Sequence, residues 1–420
     1  MKIMVVGGGG REHAVIKKLK ENPAVTEIFA LPGNGGMKKD ATCVNIGAKD
    51  INNIVKFAVE NKIDYAVVTP DDPLCLGAVD ALENVGVPCF GPNKKSAEIE
   101  GSKIFAKNLM KKYGIPTAEY EVFDNADKAI EYLKTADFPI VVKADGLALG
   151  KGVVIAENFD EAKKAVESAM LDGVFGDSGR KIVVEEFLTG PEISVLSFTD
   201  GKTIIPMISS MDHKRAKDGD KGLNTGGMGA IAPNPYFTKE VEKECMDKIF
   251  LPTVSAMNAE GRTFKGCLYF GLMLTKNGVK VIEYNCRFGD PETQVVLPLL
   301  KSDLLTIMQA VTAEKLDKSM VEFSDDCAVC VVVASDGYPE KYKTGYEIKV
   351  SENIENDVCF AGVGENEKGQ PVTAGGRVLS VVTVEKTLKK AVEKAYEKVK
   401  EVSFENMFFR KDIGKKALGE

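Results

Sequence analysis

The chain has 420 residues, of which 28% are charged and 44% hydrophobic, and carries a formal net charge of −7. That length calls for two to four domains with ample material for buried cores, in a protein of ordinary globular composition. The acidic balance argues against a broad nucleic-acid surface, and the absence of a long apolar run argues against a transmembrane helix.

The N-terminus Met1-Lys2-Ile3-Met4-Val5-Val6 runs straight into a glycine turn, without the length or cleavage region of a signal peptide. The nine cysteines are scattered singly through apolar segments, as reduced core residues of a cytoplasmic protein are. Cys327 and Cys330 have the redox spacing but fall in a strand-like run, where positions i and i+3 face opposite sides. The only histidines, His13 and His213, argue against a zinc site.

Residues 1 to about 100 alternate strands and helices: Lys2–Val6, a turn Gly7-Gly8-Gly9-Gly10, a helix from Ala14, and strands near Glu27–Leu31, Tyr65–Val68 and Val87–Phe90. This βαβ rhythm predicts a parallel sheet of the Rossmann-like kind, with ligands at the carboxyl ends of its strands. A dinucleotide site does not fit. The G-x-G-x-x-G pattern from Gly8 meets His13 where a glycine is needed, and the second strand ends in Leu31-Pro32-Gly33 rather than in an acid. What survives is an anion site at a helix N-terminus around Gly9 and Gly10, with Asn34 and Gly35 lining the same crevice. The competing reading is that these glycines only make tight turns.

Residues 101–125 are helical, and Lys103 taken alone is a surface lysine. Phe138–Ile155 reads as strand, glycine-rich loop, strand, with Lys143 ending the first strand and Gly146, Gly150 and Gly152 in the loop. A lysine there can meet a phosphate while the loop closes over the others. The order fits neither a Walker A loop nor a kinase, since the lysine precedes the glycines. The next strand ends in Glu185-Glu186-Phe187-Leu188, a candidate backbone edge for an adenine, with Glu192 placed for a ribose. In isolation these acids are solvent charges.

Met211-Asp212-His213-Lys214-Arg215 leads into a long polar loop ending Asn224-Thr225-Gly226-Gly227-Met228-Gly229, and dense loops of this kind tend to be functional. A hairpin of strands Gly266–Thr275 and Val279–Tyr284 follows, joined at Lys276-Asn277-Gly278. Its second strand breaks into Glu283-Tyr284-Asn285-Cys286-Arg287-Phe288-Gly289-Asp290-Pro291-Glu292. Residues two apart share a face, so Glu283 and Asn285 point one way, with Arg287 beside them. A carboxylate and an amide oxygen suit Mg²⁺, and a guanidinium suits a phosphate or carboxylate. The bland alternative is a polar strand end. From about residue 325 an ordinary α+β tail ends in a helix whose stripe Leu388, Ala391, Val392, Ala395, Tyr396 and Val399 is core.

The order of crevice sheet, Lys103, Lys143, glycine lid, Glu185–Leu188 edge and Glu283-x-Asn285 strand resembles the ATP-grasp ligases. Finer motifs resemble the phosphoribosylamine–glycine ligase (glycinamide ribonucleotide synthetase) family over nearly the whole chain. These are Gly8-Gly9-Gly10-Arg11-Glu12-His13, Pro32-Gly33-Asn34, Lys143-Ala144-Asp145-Gly146-Leu147-Ala148, Asp212-His213-Lys214-Arg215, Asn224–Gly229 and Arg287-Phe288-Gly289-Asp290-Pro291-Glu292-Thr293-Gln294.

The resemblance implies a preATP-grasp domain at 1–101, an ATP-grasp domain at 102–322 with a mobile lid at about 120–190, and a C-terminal α+β domain at 323–420. It implies ATP- and Mg²⁺- or Mn²⁺-dependent ligation of glycine to 5-phosphoribosylamine in purine synthesis, by a monomer. Glu283 and Asn285 would hold the metal. Lys103 and Lys143 would neutralise phosphates, with Gly146, Gly150, Gly152, Glu185, Glu186, Leu188 and Glu192 around the nucleotide. Arg287 would steady the transferred phosphoryl group or the glycine carboxylate. Gly9, Gly10, Asn34 and Gly35 would hold the ribose 5-phosphate end, with Asp212, Lys214 and Gly289 near the substrates. Two features depart from relatives. Cys267–Leu274 offers no second metal carboxylate, which leaves Asp290 or Glu292 as substitutes, and Asp71 stands where relatives carry Glu. The residues alone leave open a different ATP-grasp carboxylate–amine ligase, or a nucleotide sensor without turnover.

Overall fold

The computed structural model describes residues 1–147 and 152–419. The N-terminal sheet is parallel throughout, in the spatial order Thr42–Cys43, Glu27–Pro32, Lys2–Gly7, Tyr65–Val68, Cys89–Phe90. Its central strands are continuous apolar runs because helices cover both faces. Helix Gly10–Lys20 leaves the first strand at the glycine turn.

The central region holds two sheets. One has the order Ile204–Pro206, Glu192–Thr199, Gly266–Thr275, Gly278–Asn285, all antiparallel. The other is a small antiparallel sheet in the order Tyr120–Phe123, Ile182–Glu186, Ile140–Ala144, Val153–Ala156. Helices Ala126–Leu133 and Phe159–Met170 pack on it around a separate core of Leu133, Ile140, Val142, Val166 and Val184. A core of its own lets this subdomain behave as one unit. The larger sheet instead shares a core with the N-terminal domain: Met4, Leu31 and Val68 join Phe250, Phe270 and Tyr284 in one cluster.

The third region is a sheet in the order Met211–Asp212, Gly229–Ala232, Cys327–Ser335, Arg377–Glu385, Val358–Phe360. Its first two strands come from the segment that reads as a polar loop in the sequence, so the central stretch of chain supplies two strands to the C-terminal sheet. Helix Leu388–Val399 buries Ala391, Val392, Ala395 and Val399, as its apolar stripe predicts, and a short helix, Lys415–Leu418, follows it. Among the described residues no helix is long and apolar enough to cross a membrane.

Candidate active site

Strand Gly278–Asn285 carries a β-bulge that decides which side chains reach the site. Leu272 pairs with Val281 and the adjacent Gly271 pairs with Glu283, so Ile282 has no partner across the ladder. Val279, Val281 and Tyr284 all lie in the same core. Strict alternation from Val279 and Val281 would send Glu283 and Asn285 into that core as well. The extra residue shifts the phase by one and turns both outward. Gly271 makes room: a Cβ there would lie 3.0 Å from Glu283 Cγ.

Glu283 opens onto a cavity of ≈ 890 Å³ between the small antiparallel sheet and the larger one. Lys214 Nζ approaches its carboxylate to 3.8 Å. Desolvation pushes the Glu283 carboxyl up, but the charges of Lys214, Lys143, Lys103 and Arg287 outweigh it and hold the group below its ordinary value. Ammonium and guanidinium groups converge here on one carboxylate, and such groups are the partners a polyphosphate needs.

The lysines are held by the backbone around them. Lys143 donates to the carbonyl of the bulge residue Ile282 at 3.2 Å and pairs with Glu185 Oε2 at 2.9 Å. Lys103 donates to Gly146 O at 2.7 Å. Asp145 ties the two lysine segments together, since its Oδ1 accepts from Ser102 Oγ at 3.0 Å and from Ile104 N at 3.1 Å. Gly146, Gly152 and Leu188 line the cavity, and Gly150 falls outside the described residues. The two glutamates expected at an adenine edge diverge. Glu185 is buried against Lys143 and Lys107, whereas Glu186 accepts from Glu119 N and pairs with Lys280. Glu192 pairs with Lys214 at 3.0 Å.

At the other end of the cavity Arg287 is partly buried and bonds Glu100 at 2.9 Å and Asn285 Oδ1 at 3.1 Å. Burial pulls the Arg287 pKa down, but Glu100 and Asp71 overcome it and push the group up, so it stays cationic. Arg11 donates to Phe288 O at 3.0 Å. Arg377 from the C-terminal sheet pairs with Asp290 at 2.8 Å and donates to the carbonyls of Asp290 and Gly226. Glu292 is buried and accepts from Tyr269 at 2.9 Å and from Ser194 at 3.3 Å. Asp212 faces these groups with its Oδ1 buried and without a hydrogen-bond partner. Desolvation, and next the charge of Glu292, push its pKa well up. Arg377, Tyr269, Glu100 and Lys107 carry no motif in the sequence; the fold alone brings them here.

Asp290 and Glu292, the candidate substitutes for a second metal carboxylate, are both engaged with protein partners. Among the described residues no cluster of three acidic, histidine or cysteine ligands exists. Glu283 and Asn285 therefore form a two-oxygen donor set. It fits a hard cation that takes its remaining ligands from phosphates and water, as Mg²⁺ and Mn²⁺ do. The Asn285 oxygen keeps a second lone pair after accepting from Arg287.

Gly9, Gly10, Asn34, Gly35 and Gly289 are not among the residues lining this cavity. Gly9 N donates to Glu12 Oε2 at 2.6 Å, so that carboxylate already occupies the helix start. A Cβ at Gly10 would meet Gln294 Nε2 at 2.8 Å, and one at Gly289 would meet Glu292 Oε2 at 2.4 Å. Asn34 Nδ2 bridges Gly8 O at 2.9 Å and Phe360 O at 3.0 Å, and Gly35 N donates to Val363 O at 2.9 Å. His13 joins the same junction: Phe360 N donates to Nδ1 and Asp40 accepts from Nε2, both at 2.9 Å. These motifs dock the N-terminal domain onto the C-terminal one.

A parallel-sheet domain, a central sheet with a small antiparallel lid and a lysine-rich cavity between them define the ATP-grasp fold. The chain matches the three domains of phosphoribosylglycinamide synthetase in order: the N domain over residues 1–100, the ATP-grasp (A) domain over 101–293 and the C domain over 328–416. It belongs to that family. It is 48% identical to the phosphoribosylamine–glycine ligase of Caldanaerobacter subterraneus subsp. tengcongensis, covering 98% of this chain and 99% of the relative. Identity to the Clostridium acetobutylicum ligase is also 48%, over 99% of this chain and 100% of the relative. The crystal structure of the Thermotoga maritima ligase superposes with a TM-score of 0.87 at 33% identity, covering 98% of this chain and 100% of that one. A biotin carboxylase domain from Hydrogenobacter thermophilus, crystallised with MgADP, shares the fold at 17% identity with a TM-score of 0.74, covering 97% of this chain and 91% of that one.

Proposed function

We propose that this protein ligates glycine to 5-phosphoribosylamine, with ATP converted to ADP and phosphate and glycinamide ribonucleotide as product. The observation that carries the reading is Glu283 set among Lys103, Lys143, Lys214 and Arg287 in one cavity, in a chain that aligns end to end with phosphoribosylamine–glycine ligases.

Joining a carboxylate to an amine in water needs an activated acyl group. The glycine carboxylate attacks the γ-phosphate and forms glycyl phosphate, and the ribosyl amine then displaces phosphate. The first step brings anions together, so cations must offset their repulsion. Lys103 and Lys143 neutralise phosphate oxygens, and Arg287 steadies the carboxylate or the transferred phosphoryl group. Glu283 and Asn285 would hold Mg²⁺ or Mn²⁺, which would supply Lewis-acid withdrawal of charge from the phosphates. Asp212, with a free buried oxygen, accepts a hydrogen bond from an attacking or bound amine. Gly146 and Gly152, which line the cavity, lie beside the acyl phosphate and help keep water from it. The nucleotide lies along Leu188 and Glu192, and the docked glycine turns at Gly9, Gly10, Asn34 and Gly35 flank the ribose phosphate end. Nine free cysteines support a cytoplasmic location, and a monomer suffices because one chain supplies every group named.

The test measures ADP release with each substrate omitted in turn, for wild type and Glu283→Ala. Turnover that needs glycine and phosphoribosylamine together is the expected result. Product formation without phosphoribosylamine defeats the assignment, and near-normal turnover by Glu283→Ala defeats the metal role.

A further inference from the structure

Lys107 lies one turn along helix Lys103–Tyr113 from Lys103, and its side chain is only 3% exposed. Its ammonium reaches Glu185 Oε2 at 3.2 Å, and Lys143 reaches the same oxygen at 2.9 Å. Lys107 also donates to Thr117 Oγ1 at 2.8 Å and to Ala118 O at 3.4 Å. Glu185 is 4% exposed, and its other oxygen has no hydrogen-bond partner among the described residues. All three side chains line the cavity.

Two buried ammonium groups therefore share one buried carboxylate. With Lys143 as its only partner, Glu185 would form a neutral one-to-one pair. Turning Lys143 towards a phosphate would then strand a carboxylate in a desolvated site, which is strongly unfavourable. With Lys107 in place the carboxylate stays paired whichever way Lys143 points, and the surplus positive charge is available to a ligand.

We propose that Lys107 is the resident counter-ion of Glu185, a positioning residue that frees Lys143 to engage the phosphates of a bound nucleotide. This rests on the assignment of ATP to the cavity. It gives a role to a lysine that no sequence motif marks.

The titration of Lys107 supplies an independent readout. Burial lowers its pKa to about 8, with the charge of Glu185 opposing the shift and that of Lys143 adding to it. The groups facing it are Glu185 and Glu186 from strand Ile182–Glu186, Lys143 from Ile140–Ala144 and the ring of Tyr120, 5.4 Å away, from Tyr120–Phe123. Above that pH the counter-ion is lost and Lys143 is drawn back to Glu185, so nucleotide affinity falls.

Calorimetric titration of the full-length protein with magnesium and a non-hydrolysable ATP analogue tests this. Lys107→Met is expected to weaken binding about tenfold or more. Adding Glu185→Gln to Lys107→Met removes the stranded charge and recovers most of that loss. Wild-type affinity declines as pH rises through about 8, and the double variant shows no such decline. Equal affinities of wild type and Lys107→Met overturn the proposal. So does a double variant at least as weak as the product of the single effects, the result of a merely structural role. If Lys107→Met does not fold, a flat wild-type profile across that pH range overturns it alone. No binding by the wild type at all instead removes the nucleotide assignment, and this inference with it.

Discussion

Gly271 sits directly across the ladder from Glu283, with room for a hydrogen and no more. Gly271→Ala keeps the strand but pushes against the Glu283 side chain. On the proposed metal role of Glu283, shifting the carboxylate without removing it is expected to raise the Mg²⁺ concentration for half-maximal activity about ten- to a hundredfold. The melting temperature changes little. A metal titration at saturating substrates checks it, and an unchanged half-saturation point argues against Glu283 as donor.

Arg377 bonds Asp290 and the carbonyls of Asp290, Gly226 and Gly227, and so gathers two loops that border the cavity. Arg377→Ala leaves Asp290 without its counter-charge and is expected to destabilise the protein by about 2–3 kcal/mol, less than for a fully buried pair because both partners keep some exposure. Arg377→Lys restores charge but not the fork, so it recovers stability more than activity. Urea unfolding read beside the KM for glycine and for phosphoribosylamine separates the two effects.

Asp212 is desolvated with one oxygen unpaired, an arrangement that opposes folding whenever the group is ionised. Its raised pKa means that its contribution to stability falls as pH rises through the folded value. Asp212→Asn removes that charge at constant shape. It should raise the melting temperature at neutral pH while lowering kcat, a trade expected of a functional carboxylate. A variant both less stable and fully active would refute this.

His213 is buried, donates from Nδ1 to Gly229 O at 3.3 Å and accepts from Gly414 N at 3.2 Å. Burial, and then the charge of Arg410, lower its pKa to about 4. Between that value and the ordinary 6.5 the unfolded chain binds the extra proton, so stability is full above about 6.5 and falls as pH drops. The difference in urea midpoint between pH 7 and pH 5 should shrink in His213→Gln. An unchanged difference assigns the acid sensitivity to other groups.

The architecture was legible because its signals are local. Apolar runs ending in glycine turns give the parallel sheet, and Lys143 before its loop, with Glu283-x-Asn285, gives one end of the site. What escaped depends on distant chain. Lys107 and Arg377 look like surface charges until folding places them on Glu185 and Asp290. Glu185 and Glu186 are neighbours in the same motif, yet strand alternation sends one to the lysines and the other to Lys280. The glycine turns are ambiguous in sequence for a related reason. Close backbone approach reads the same whether the approaching group is a phosphate or, as at Asn34 and Gly35, another domain.

The unpaired residue at Ile282 turns the strand into a matter of parity. Delete one residue between Val281 and Glu283, and the acid exchanges places with the core: composition is almost unchanged, yet carboxylate and amide point into packed side chains. Glu283 and Asn285 thus depend on a count as well as on the neighbour Gly271. In this hairpin a substitution at Gly271 disturbs one donor, whereas a change of length by one turns both away.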